Sequence, residues 1–355
     1  MKIISYERRE RYGIIAGVPR ICIFPTAVNI GGPFSFQQRF IAGLKKRGME
    51  VCRDLKDLPY DAVLVTGGTR HVADLQHARS RGIRIVQRLD GINWLHRRRR
   101  TGWRHFLRAE YGNFIQSYIR RRLSSHIVYQ SEFARSWWEA RYGSTGVPCR
   151  VIYNGVDLKV YSPQGSRDLP AGRKRLLVVE GSMGGGYEQG LEQSIRLAEE
   201  LAHEHPVELM IVGCVASPIQ KDIQANCRIP IQWAGLVKAE QIPRLERSAH
   251  LLYSADIHPA CPNAVIESLA CGLPVVAFNT GSLPELVSPE AGRVVPYGGD
   301  PWKLESPDIA ALAAAASEIL SRLPRFRQGA RKRAEARFDL EKMVEDYLQI
   351  LLGSG

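Results

Sequence analysis

Pro262-Asn263-Ala264-Val265-Ile266-Glu267-Ser268-Leu269-Ala270-Cys271-Gly272-Leu273-Pro274-Val275-Val276 reads as a short helix entered at proline, closed by glycine and followed by a buried strand. Proline is pre-organised for a helix start, and glycine supplies the left-handed residue that commonly ends one. Asn263 and Glu267 are four apart and share a helix face. A carboxylate so placed, at the mouth of an α/β crevice, can accept hydrogen bonds from two neighbouring hydroxyls of a sugar.

Outward from this stretch, strands and helices alternate. In the first half, strands are expected at 20–26, 62–66, 83–87, 126–130 and 150–153, with a helix from the Gly31-Gly32 loop to about Arg47. The segment 157–173, with Pro163, Gly165, Pro170 and Gly172, reads as a linker. The alternation then restarts with strands at 176–180, 208–213, 231–234, 251–254, 274–278 and 292–295. A helix near 188–202 carries Leu191, Ile195, Ala198 and Ala202 on one stripe. Such alternation implies βαβ units and parallel sheets. The expected fold class is α/β, with two Rossmann-like domains, 1–165 and 166–338, facing each other across a ligand-binding cleft. Leu340, Met343, Val344, Tyr347, Leu348, Leu351 and Leu352 make a closing helix, 339–355, strongly amphipathic.

With 355 residues, 45% hydrophobic and 24% charged, the chain has the composition of a globular protein. No run approaches the about eighteen apolar residues of a membrane span. Residues 1–11 lack an apolar stretch after their charges, which argues against a signal peptide. Seven cysteines, without a Cys-x-x-Cys pair, favour a reducing cytoplasm over a disulfide framework or zinc site. No metal is expected, there being no Asp-x-Asp pair or histidine cluster of ligand spacing. The charge is lopsided: residues 1–165 hold 29 Lys and Arg against 12 Asp and Glu, whereas 166–355 hold 20 against 24. An anionic partner for the first half follows, either a lipid surface or a polyanion.

Together with the tail Ala277-Phe278-Asn279-Thr280-Gly281-Ser282-Leu283-Pro284-Glu285-Leu286-Val287, the opening stretch resembles the donor-site signature of retaining GT-B glycosyltransferases, family four (glycosyl transferases group 1). Tyr153-Asn154-Gly155-Val156-Asp157 is similar to the segment ending that family's first domain, and also reads as an Asn-Gly turn. The resemblance implies a GT-B architecture whose last helix crosses back onto the first domain. It implies transfer of a sugar from a UDP- or GDP-linked donor, a substrate rather than a cofactor, to a hydroxyl acceptor with retention of configuration. Cell-surface polysaccharide or glycolipid assembly is the implied setting, with a sugar or lipid-linked sugar as acceptor. Donor-binding positions would be Gly31, Gly32, Gly181, Ser182, Gln189, Gly213, Asn263, Ala264 and Glu267. Asp90 and His258 would face the reacting sugar.

The chain departs from the family pattern where cations and a second carboxylate are usual: Ser182 and Gln189 replace arginine and lysine, Pro259 replaces a glutamate and Ala260 a glycine. Arg88 or Arg70 would then supply a replacement cation. Gly31-Gly32 also reads as a tight turn, and Asp90-Gly91 as a turn signal. His96-Arg97-Arg98-Arg99-Arg100, Trp103-Arg104-His105-Phe106 and Arg120-Arg121-Arg122 interleave cations with aromatics, as an anionic lipid surface would favour. The expectation is a cytoplasmic enzyme, peripheral on the inner face of the plasma membrane. A catalytically weak partner in a polysaccharide-assembly complex is the alternative. A nucleic-acid module is disfavoured because no recognised motif accompanies the basic half.

Overall fold

The computed structural model describes residues 18–27, 31–99, 102–183 and 188–353. The first eleven residues, Asn29, Ile30, Arg100 and Gly184–Gly186 of the sequence reading lie outside them. The chain forms two compact units: residues 1–155 with 340–355, and residues 156–339.

The first unit contains β1 (Arg20–Phe24), α1 (Gly32–Lys46), β2 (Glu50–Cys52), β3 (Ala62–Thr66), α2 (Val72–Ser80), β4 (Arg84–Leu89), α3 (Trp103–Tyr118), β5 (His126–Tyr129), α4 (Glu132–Tyr142) and β6 (Cys149–Val151). Its six strands are ordered β2-β1-β3-β4-β5-β6, all parallel. Helices on both faces bury such a sheet, so β3 reads Ala-Val-Leu-Val with every residue buried. The short β2 is absent from the sequence reading, because three residues carry too little periodicity to separate them from the end of α1.

The second unit contains β7 (Lys174–Ser182), α5 (Glu188–Leu201), β8 (Val207–Cys214), α6 (Ser217–Asn226), β9 (Ile231–Gly235), α7 (Ile242–Arg247), β10 (Leu251–Tyr253), α8 (Asn263–Ala270), β11 (Val275–Phe278), α9 (Leu283–Leu286), β12 (Gly292–Val295), α10 (Ile309–Ser321) and α11 (Leu323–Arg337). Its strand order is β12-β11-β10-β7-β8-β9, again all parallel. One ion pair runs through this core: Arg175 of β7 lies opposite Glu208 of β8 in register, at 2.6 Å. Both side chains are buried, and further hydrogen bonds to Asp168 and Ser248 carbonyls satisfy the guanidinium.

The domain break, expected at 165/166, lies ten residues earlier, at 155/156. The physical reason is the pairing of the supposed linker with the end of α11. Val156 N–H donates to the Phe338 carbonyl, and Arg331 donates to the carbonyls of Leu158 and Tyr161.

The final helix, α12 (Leu340–Leu352), belongs to the first unit. Met343, Val344, Tyr347, Ile350 and Leu351 pack into the same core as Phe36, Phe40 and Leu44 of α1. Tyr347 lies 5.3 Å and 5.2 Å from the Phe36 and Phe40 rings. Two glycines admit the helix: a Cβ at Gly43 would stand 2.6 Å from Val344, and one at Gly155 would stand 2.8 Å from the Leu340 backbone. Tyr347→Ala removes a fully buried ring from this seam and is expected to destabilise the first unit by about 3–5 kcal/mol. A lowered urea midpoint for that unit, followed by amide exchange in α1 and β1, checks it; an unchanged midpoint would show that the helix is not a core element.

Candidate functional site

In the second unit, parallel pairing places the loops after β7, β8, β10 and β11 at one edge of the sheet, where α/β folds bind ligands. Helix α8 starts beyond Pro262 and is closed by Gly272, whose φ of 69° is left-handed. Leu273 N–H donates to the Ser268 carbonyl at 2.8 Å and completes the stop. Glu267 is buried, one helical turn after the half-buried Asn263, with Ala264 beside it. The C-terminal end of β8 is fixed by Gly213, with φ 148°, where a Cβ would meet the Glu180 carbonyl oxygen at 2.1 Å. Glycine is therefore required there for backbone packing. Gly181 is open, with nothing within 4 Å of a built Cβ, and Ser182 ends β7.

Gln189 turns away from a role as a free ligand. Its Nε2 donates to the Tyr297 hydroxyl at 3.3 Å, in a network where Gln193 also donates to Tyr297 and Tyr253 donates to Gln193. His258 sits in the loop after β10 with φ 133°, a region that disfavours any side chain. Its buried ring stacks on Trp302 at 3.6 Å between centroids. Desolvation lowers its pKa to about 4, only partly opposed by Asp300, so the imidazole is neutral near pH 7. Pro259 takes part through its backbone: its carbonyl accepts from Ser282 N–H at 2.9 Å, and its atoms lie 2.6 Å from a Cβ built on Gly281.

The sequence reading missed an acidic pair at this edge. Glu180 lies two residues before the end of β7, and Asp256 follows β10, its neighbour in the sheet. Desolvation raises both carboxyls, Asp256 to about 6 and Glu180 to about 8, and the Asp256 charge adds to the rise at Glu180. Such a pair retains a proton near neutrality, and a protonated carboxyl donates a hydrogen bond where an ionised one only accepts. The available signal was two acidic residues at the ends of separate apolar strands. It could be read only once β7 and β10, 75 residues apart, were known to be neighbours.

In the first unit, Gly31 precedes α1 with φ 144°, and no atom crowds it or Gly32. Arg88, at the end of β4, is buried, its guanidinium 3.9 Å over the Phe36 ring and 2.8 Å from Asn154 Oδ1. It is therefore a fixed, enclosed cation, not a mobile one. Asp90 follows it, with its carboxyl pKa raised by desolvation and partly restored by Arg88. The loop is pinned by Trp138, whose Nε1 donates to the Asp90 carbonyl at 2.7 Å. Arg70 lies over Tyr111 instead, at 5.6 Å. The basic clusters also divide: Arg97 is held by Glu110 at 2.6 Å, and Arg120 is buried against the Tyr129 hydroxyl and Gly143 carbonyl.

Because Glu180 has a higher pKa folded than unfolded, its contribution to stability is full below the ordinary carboxylate range and is lost as pH rises towards 8. Glu180→Gln is therefore expected to melt above the wild type at pH 8 by a few degrees and to converge with it near pH 4. Melting curves across that range check this; parallel curves would mean that Glu180 is ionised at neutrality.

Residues 174–322 match the family of glycosyl transferases group 1. Spore coat protein SA of Bacillus subtilis is 21% identical over 250 residues, 64% of each chain, so the match spans less than two thirds of that relative. Among solved structures, sucrose-phosphate synthase from Thermosynechococcus elongatus has a TM-score of 0.75 at 17% identity, covering 94% of this chain and 98% of its own. HepE of Anabaena, solved in complex with UDP-glucose, has a TM-score of 0.67 at 16% identity, covering 94% and 99%. The chain thus has the GT-B fold, and its residues 174–322 are similar to the glycosyl transferases group 1 family.

Proposed function

We propose that the chain transfers a sugar from a nucleotide-sugar donor to a hydroxyl acceptor with retention of configuration, the donor being held on the second unit. The observation that carries this reading is the buried Glu267 on α8, at the ligand-binding edge of a domain similar to this family. Its carboxylate accepts hydrogen bonds from the two ribose hydroxyls, with Asn263 and Ala264 lining the same turn. The Anabaena complex with UDP-glucose supports a UDP-linked donor, with a GDP-linked one as the alternative. Retention rests on the likeness of residues 262–287 to the retaining donor signature.

In this reading the bond from the anomeric carbon to the diphosphate breaks while the acceptor oxygen bonds to the same face. The acceptor proton passes to the departing phosphate oxygen. The neutral His258 imidazole, held by Trp302, accepts a hydrogen bond from a sugar hydroxyl. Backbone amides at Gly181 meet phosphate oxygens, as glycine loops before helices do. The Glu180–Asp256 proton serves where the usual arginine and lysine are missing, donating to the diphosphate. Asp90 orients the acceptor hydroxyl. A sugar or lipid-linked sugar acceptor and a role in surface polysaccharide or glycolipid assembly complete the proposal.

The second reading, a catalytically weak partner in such an assembly, is favoured by one observation: Gln189 is engaged with Tyr297, leaving no side-chain cation at that position. Nucleotide-sugar hydrolysis and transfer assays separate the two, since only the first reading requires turnover.

Glu267→Ala is expected to weaken nucleotide binding by about 1.5–3 kcal/mol, the worth of hydrogen bonds to a charged group. Calorimetric titration with UDP and with GDP, on protein whose melting point is verified, makes the measurement. Wild-type affinity in a folded variant would remove Glu267 from the donor site.

A further inference from the structure

Ten large hydrophobic side chains are exposed among the described residues, and five of them lie on α3: Trp103, Phe106, Leu107, Tyr111 and Phe114. Trp103, Leu107, Tyr111 and Phe114 follow one another at helical spacing and make a single apolar stripe. Residues 102–108 are exposed on every side, so the first turns of the helix stand out from their unit. Further along, Asn113, Ile115 and Ser117 are buried and anchor it. The stripe is bordered by cations. Arg104 lies 5.4 Å from the Trp103 ring, Arg70 lies 5.6 Å from the Tyr111 ring, and Arg108 is one turn after Arg104. Among the described residues, Arg98, Arg104 and Arg108 have no carboxylate at ion-pair distance, unlike Arg97.

We propose that this face of α3 docks on a bilayer surface containing anionic phospholipid. Trp103, Leu107 and Phe114 enter the boundary between headgroups and acyl chains, while Arg98, Arg104 and Arg108 pair with headgroup phosphates. Charge complementarity selects this occupant. A soluble polyanion would satisfy the arginines but gain nothing from Leu107 and Phe114. A second copy of the chain would bring like charges together along both edges of the stripe. No helix among the described residues is long and apolar enough to cross a membrane, so docking of this kind is reversible and weakened by salt.

Flotation of the full chain with vesicles tests the proposal, using phosphatidylcholine alone and mixed with phosphatidylglycerol. The wild type is expected to float with the anionic vesicles at low salt and to dissociate at high salt. Leu107→Ser with Phe114→Ser, and separately Arg104→Gln with Arg108→Gln, should each lower partitioning on the order of tenfold. All substituted side chains are exposed, so melting points should hold. Brominated acyl chains should quench wild-type fluorescence, and Trp103→Phe should remove most of that quenching. Equal flotation with neutral vesicles, or none with either, overturns the proposal. So does an apolar double variant that floats normally while heparin displaces the wild type, which would assign the face to a soluble polyanion. A concentration-dependent dimer that ignores vesicles and is lost in the apolar variant would assign it to self-association.

Discussion

Parallel strand pairing is the constraint on which the rest of this molecule depends. Every parallel connection must return the chain to the same starting edge, so all strands of a sheet end together. In the second unit this gathers the turns at Gly181, Gly213, Asp256–Pro262 and Asn279–Ser282, although they are scattered over about a hundred residues of sequence. The centre of the edge is formed by β10 beside β7, the place where strand order reverses. Close packing there is severe: Gly213 presses on the Glu180 carbonyl, and Gly190 of α5 stands 2.6 Å, measured from a built Cβ, from the Ala255 carbonyl. A site so crowded is specified by small residues before any ligand is considered.

That crowding explains the electrostatics. Near the ends of two adjacent strands, the Glu180 and Asp256 carboxyls lose water and the Asp256 charge acts on Glu180, so the proton becomes the cheapest counter-ion. Elsewhere the fold treats charge differently. Arg175 and Glu208 are equally buried yet lie opposite one another in register, paired at 2.6 Å and joined by three further hydrogen bonds, from Arg175 to the Asp168 and Ser248 carbonyls and from Gln232 to Glu208. The contrast lies in what each buried acid meets: an opposite charge across the strand at Glu208, a like charge at Glu180. Strain is concentrated in the same place, for His258 has a φ that ordinary residues avoid, and its ring is held by Trp302. Such a conformation persists only where its surroundings enforce it.

Much of this was legible in the chain. Alternating apolar runs and glycine stops located eleven of the twelve strands, because fully buried parallel strands are continuous apolar segments. The α8 helix and its glycine stop were written in local chemistry, and so was the seam of α12. Non-local facts were not. That Val156 joins the second unit depends on pairing with Phe338, 182 residues away. That Gln189 serves Tyr297 and that Arg120 is interior depend on which side of a helix or turn faces the core. Sequence placed cations and polar groups at the right elements but could not tell a ligand from a strut.

The basic half makes the same point in reverse. Read as a run, His96 to Arg100 looks like one charged patch, yet His96 and Arg97 are both spent on Glu110. Arg88 is stacked on Phe36, and Arg120 supports Tyr129. The cations left exposed are spread over the unit, and Arg98, Arg104 and Arg108 are the ones near exposed aromatic side chains of α3. Formal charge of the half is therefore a poor guide to where it acts. The fold turns part of the arginine excess into structural cations inside the first unit, and sets another part as a border around the apolar stripe of α3.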